Sequence, residues 1–154
     1  MNNNDRLIRL RYALDIRNSE MEEIFDYGGV NVSREEIGML LTKEDEENHL
    51  SCSPLLYESF LNGLIVFKRG KQEGQPVQPA ISHGHPNNVL LKKVKIALSL
   101  TTEEMMDVLE LAGVTVTKGE LGALLRKEGQ KNYKECGDKY ARNFLKGLAI
   151  KYRG

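Results

Sequence analysis

Residues 29–44 read GVNVSREEIGMLLTKE, and residues 113–128 read GVTVTKGELGALLRKE. The second stretch repeats the first 84 positions later. Working outward from this pair, the match runs without a gap from Asn3–Ile65 onto Asn87–Ala149, with 22 of 63 pairs identical. Upstream, Asn3-Asn4 align with Asn87-Asn88, Leu7 with Leu91, Ala13-Leu14 with Ala97-Leu98, and Glu20-Met21 with Glu104-Met105. Downstream, Asn48 aligns with Asn132, Cys52 with Cys136, Phe60-Leu61 with Phe144-Leu145, and Gly63-Leu64 with Gly147-Leu148. One structural unit is used twice.

The same stretches carry local signals for helices. Ser33 with Glu36, and Thr117 with Glu120, form the S/T-x-x-E capping box, in which each side chain satisfies the other residue's orphan backbone N–H. Gly29 and Gly113 stand where the preceding helix must end in a left-handed residue, a geometry glycine accepts at little cost. The Val-x-Val between them reads as a short buried extended link and not as a strand pair. Apolar residues at helical spacing mark four helices in the first copy: Leu7, Leu10 and Leu14; Met21, Ile24 and Phe25; Ile37, Leu40 and Leu41; Phe60, Leu61 and Leu64. The second copy repeats them as Leu91, Val94 and Leu98; Met105, Val108 and Leu109; Leu121, Leu124 and Leu125; Phe144, Leu145 and Leu148. Ser53-Pro54 is a further cap with proline in the first turn. Asp138 is expected to cap the corresponding helix, and Asn4 and Asn88 to cap the first helix of each copy.

The expected fold is therefore all-α: two tandem copies of a roughly four-helix unit. A unit of about 60 residues is marginal alone, so the copies are expected to pack with pseudo-twofold symmetry. Residues 1–67 form the first repeat, 68–86 a linker with three of the four prolines, and 87–154 the second repeat. Net charge is zero, yet residues 1–70 carry 8 Lys/Arg against 13 Asp/Glu, whereas residues 71–154 carry 14 against 9. An acidic copy is thus joined to a basic one.

The longest apolar runs are only a few residues, and MNNNDRLIRLRYALD lacks the apolar core of a secretory signal. A cytoplasmic protein without a membrane role is expected. Two cysteines make no disulfide framework.

The strongest chemical signal is the run from Arg126 to Arg153, where lysines and arginines interleave with Tyr133, Tyr140, Phe144 and Tyr152. Basic side chains attract phosphate, and aromatic rings stack on unpaired bases. Lys127, Lys131, Lys134, Lys139, Arg142 and Lys146 are the candidate nucleic-acid contacts. Phe144 matches Phe60 on the apolar stripe and belongs to the core. The helix–glycine–helix unit around Gly113 outlines a helix-turn-helix, but Thr117 follows the glycine by four residues, which makes the turn longer than usual. Helical packing explains it better.

Other constellations are incomplete. Cys52 and Cys136 occupy matching positions without a matched base, since His49 aligns with Tyr133. Buried small side chains account for them. His83-Gly84-His85, and His49 with Cys52, fall short of the four ligands a zinc site gathers. Asn48 and Asn132 read as turn residues. No catalytic set, metal site or cofactor is implied, and the residues point to a non-enzymatic binding or regulatory module.

The doubled NN-x-x-L start, GVNVSREEIGMLLTKED (29–45) and GVTVTKGELGALLRKEGQKNYKECGDKYARNFLKGL (113–148) resemble the YehS-like family of small bacterial proteins, a domain of unknown function. The resemblance covers nearly the whole chain except the linker. It implies a bacterial, cytoplasmic, duplicated helical protein and supplies no activity or site residues. Two readings of function follow: a nucleic-acid binder acting through the basic copy, or a protein-interaction or self-assembly module, such as a homodimer, built from oppositely charged lobes.

Overall fold

Helix caps set the element boundaries. The computed structural model describes residues 1–70 and 84–154, which form eight helices and no strand among those residues. The first copy holds α1 (Asn3–Leu14), α2 (Asn18–Tyr27), α3 (Arg34–Leu40) and α4 (Pro54–Arg69). The second holds α5 (Pro86–Ala97), α6 (Thr102–Leu111), α7 (Lys118–Leu125) and α8 (Asp138–Arg153). The Ser33–Glu36 and Thr117–Glu120 boxes are both closed, and Ser53 caps α4 with Pro54 in its first turn. Most of the proposed linker lies outside the described residues, and α4 continues through Lys68 and Arg69.

Glu104, which recurs with Glu20 without an obvious role in the sequence, closes a further box with Thr101 at the start of α6, while Glu20 supplies half of one at the start of α2, where Arg17 has no side-chain acceptor. Their carboxylates accept from the backbone N–H of Arg17 and Thr101, which lowers the pKa of both. Gly29 and Gly113 adopt φ of 87° and 84°, as the helix ends require. Asn48 and Asn132 are also left-handed, at 68° and 66°, which fits their turn role.

The two copies are cross-docked. The first helix of each packs on the fourth helix of the other, α1 on α8 and α5 on α4, while α2 lies on α4 and α6 on α8. One continuous apolar core results, in which Leu7, Leu10, Phe25, Phe60, Leu91, Val94, Met105, Phe144 and Leu148 are all buried. The recurring Gly63 and Gly147 are explained by close helix approach. A Cβ at Gly63 would run into the Ile24 carbonyl of α2, and one at Gly147 into the Val108 carbonyl of α6. Gly38 and Gly122 recur equally well, yet a Cβ there meets open space. Nothing in the structure explains that second glycine pair.

Two expected caps are corrected. Asn2 caps α1 and His85 caps α5, each accepting a backbone N–H, so Asn4 and Asn88 lie inside their helices. Both are buried. Asn4 donates through Nδ2 to the carbonyls of Leu40 (2.9 Å) and Leu50 (2.8 Å), and its Oδ1 accepts from the Cys52 N–H (2.8 Å). Asn88 repeats this on Leu124 (2.9 Å), Lys134 (2.9 Å) and Cys136 (2.8 Å). Each amide thus ties its first helix to the end of the third and to the long loop beyond, satisfying a buried helix-end carbonyl and a buried backbone N–H together with a partly buried loop carbonyl.

Asp138 does not cap α8 either. Gly137 holds the cap position, and the Asp138 carboxylate turns to Asn87 of its own copy and to Met1 of the other. It accepts from Asn87 Nδ2 (2.8 Å) and from the Met1 ammonium (3.0 Å). Buried Arg6 lies beside it, donating to Asn87 Oδ1 (2.7 Å) and Asn3 Oδ1 (2.9 Å). Asn3 and Asn87 are equivalent positions, so both halves of the duplication grip one guanidinium. Leu90 occupies the position equivalent to Arg6, and the pseudosymmetry is broken there.

Candidate functional site

The six candidate cations are all exposed. None forms an ion pair among the described residues. Lys127 follows α7, and Lys131 and Lys134 lie on the loop to α8. On α8, residues 141, 144, 145 and 148 face the core, which leaves Lys139, Arg142 and Lys146 on a common outer stripe. The six do not share one concavity. Lys139 lines a cleft with Gly113, Thr115 and Asn143, whereas Lys146 lines another with Ile8, Tyr12 and Ala149 at the α1–α8 seam.

Lys127 belongs to a third cleft, of about 750 Å³, between α5 and the segment after α7. Lys92, Lys93 and Ile96 supply one wall; Leu125, Lys127, Glu128 and Tyr133 supply the other. Three ammonium groups therefore line a pocket with a single carboxylate, and none of the three is ion-paired among the described residues. Partial burial lowers the pKa of Lys92, and the Lys127 and Lys93 charges lower it further, against a smaller opposing effect from Glu128. Lys92 and Lys93 were not singled out by sequence reasoning. Their signal is visible in VLLKKVKIA, but only the packing of α5 beside α7 brings them to Lys127 and Tyr133.

The interleaved aromatics separate into different roles. Phe144 is fully buried, as its match to Phe60 requires. Tyr133 is half-buried on the cleft wall, Tyr140 lines the cleft that contains Lys139, and Tyr152 is exposed beneath Lys151, whose Nζ lies 5.7 Å from the ring centroid.

The helix-turn-helix outline also resolves. Residues 112–117 join α6 to α7, and the exposed or half-exposed positions of α7 are Lys118, Gly119, Glu120, Gly122, Ala123 and Leu125. Lys118 is paired with Glu103 at 3.1 Å, and Glu120 is used by the capping box. That face has almost no donors for base edges.

Cys52 and Cys136 are unpaired and buried. Burial pushes their thiols up to about 12 and about 11. Both stay protonated at neutral pH, a poor state for a nucleophile or metal ligand. His49 Nδ1 lies 2.9 Å from the Thr42 carbonyl, and His85 caps α5, while His83 lies outside the described residues.

These features define a class: a tandem-repeat, all-helical protein with cross-docked copies, a buried inter-copy polar cluster and a basic second-copy face. The chain belongs to the family described as "Protein of unknown function (DUF1456)", whose model matches residues 3–70 and again 87–154. It is 40% identical over 152 residues to the uncharacterized protein YehS of Escherichia coli strain K12, covering 98% of this chain and 96% of that relative. No solved structure matches it. Among the described residues, no helix is long and apolar enough to cross a membrane.

Proposed function

We propose that this protein is a nucleic-acid-binding module whose basic second copy supplies the contact surface. One observation carries the reading: Lys127, Lys131, Lys134, Lys139, Arg142 and Lys146 are exposed on that copy without an ion-pair partner among the described residues. A cation already neutralised by a carboxylate has little to offer a phosphate; these six remain available. Binding through them is electrostatic and salt-dependent, because each neutralised phosphate releases condensed counterions. Three engaged phosphates on a single strand correspond to a slope of log affinity against log salt of about −2.

The test is fluorescence anisotropy with single-stranded and duplex oligonucleotides at low and moderate salt, using wild type and the triple variant Lys131→Glu, Lys134→Glu, Lys139→Glu. Salt-sensitive binding that the triple variant loses supports the reading. Absence of binding at low salt overturns it. A second reading, self-association, rests on the exposed first-copy loop Glu44, Asp45, Glu46 and Glu47, which carries the opposite charge. A concentration-dependent, salt-sensitive increase in mass without nucleic acid would favour it.

A further inference from the structure

We infer that the cleft between α5 and the segment after α7 is a single-nucleotide pocket, which takes one unpaired base of a single strand and holds its flanking phosphates on Lys92, Lys93 and Lys127. This rests on the nucleic-acid reading and sharpens it to a ligand class. Two independent features of the cleft converge on that ligand.

The first is charge. Three lysines line the cleft with one carboxylate, Glu128, and no ion pair holds any of the three among the described residues. Crowded like charges oppose one another, and burial of Lys92 adds to the cost. An anion with more than one charge relieves both effects. The second is apolar surface. Tyr133, Ile96 and Leu125 line the same cleft, and Ile96 is 43% exposed on the same outer face of α5 as Lys92 and Lys93. A ligand that is anionic at one end and flat and apolar at the other matches both sets of groups. The volume lies within the roughly 300–1,000 Å³ typical of pockets that enclose a small molecule. A base pair inside a duplex cannot enter, because its faces are already stacked.

The two copies differ at these positions. In the first copy, Ile8 stands for Lys92, Tyr12 for Ile96, Glu46 for Gln130 and His49 for Tyr133. Only Lys43 and Arg9 preserve the positive charges equivalent to Lys127 and Lys93. The first copy thus keeps two of the three charges, and the full set of Lys92, Lys93, Lys127 and Tyr133 occurs only in the second copy.

The experiment compares three fluorescent probes of equal length on the full chain: a single strand, the same strand made abasic throughout, and a duplex. Each is titrated into wild type, Tyr133→Leu, Tyr133→Ala and the double variant Lys92→Gln, Lys127→Gln. Thermal melts confirm that every variant is folded, and Tyr133→Leu keeps apolar bulk on the wall while removing the ring. Expected are preference for the single strand over its abasic form, a loss of about 5-fold or more for that strand in both Tyr133 variants, and no change for the abasic probe. The lysine variant weakens both single-stranded probes. Equal binding of all three probes, unaffected at Tyr133, overturns the pocket while leaving the basic surface intact. No salt-sensitive binding to any probe overturns both.

Discussion

Replacing Asn88 by Asp separates two roles that the sequence leaves indistinguishable. At an N-cap the two residues are nearly equivalent, because the position requires only a side-chain oxygen acceptor. The structure instead places Asn88 inside α5, 1% exposed, with Nδ2 donating to both Leu124 and Lys134 carbonyls at 2.9 Å. Asp has no donor there when ionised. The buried Leu124 carbonyl left without its partner costs about 1–3 kcal/mol and the partly exposed Lys134 carbonyl less, so the substitution costs about 2 kcal/mol before any penalty for burying the carboxylate. For a chain of this length that corresponds to a fall in Tm of about 6 °C. Against a typical total of about 5–15 kcal/mol, the loss is large. Urea denaturation at pH 7, followed by circular dichroism and compared at constant slope, measures it. A loss below about 1 kcal/mol would refute the bridging role and restore the capping one. Asn4→Asp repeats the test in the first copy, where Nδ2 donates to Leu40 and Leu50.

Two further predictions concern stability. Gly147→Ala and Gly63→Ala push a methyl group into a facing carbonyl and are expected to cost about 1–3 kcal/mol or more. Gly122→Ala and Gly38→Ala enter open space within a helix and are expected to stabilise by about 0.5–1 kcal/mol, so the two recurring pairs should shift the urea midpoint in opposite directions. Asp138 titrates at about 2 in the folded protein, held down first by the hydrogen bond from Asn87 and then by the Met1 ammonium, against an ordinary value of 3.8. A depressed carboxylate stabilises the fold fully above its unfolded value and loses that contribution as pH falls through its folded value. The stability difference between wild type and Asp138→Asn should therefore shrink between about pH 4 and pH 2; a difference independent of pH across that window would rule out the linkage.

Much of the fold was legible because its determinants are local. Helix number, the Ser33 and Thr117 boxes, the left-handed glycines and the apolar stripes all depend on spacing within a few residues, and the duplication is read by laying one such pattern on the other. The asparagine pairs were misread because a capping asparagine and a buried bridging one have the same local sequence. What distinguishes Asn88 is the arrival of Leu124 and Lys134, residues 36 and 46 positions away. Gly63 and Gly147 gave no local reason for glycine for the same cause: their constraint is a carbonyl on another helix. For the candidate site, the sequence supplied six cations on one copy but missed Lys92 and Lys93, which become neighbours of Lys127 only when α5 packs beside α7.

The sequence by itself determined that one helical unit occurs twice, that each unit holds four helices, and that charge is divided between the copies. Those properties follow from backbone capping, side-chain periodicity and composition, which need no distant partner. Tertiary structure alone decided that α1 docks on α8 and α5 on α4, that Asn3 and Asn87 share Arg6, and which lysines face a common cleft. A 60-residue unit is marginal alone, and the partner that covers its apolar surface is the other copy.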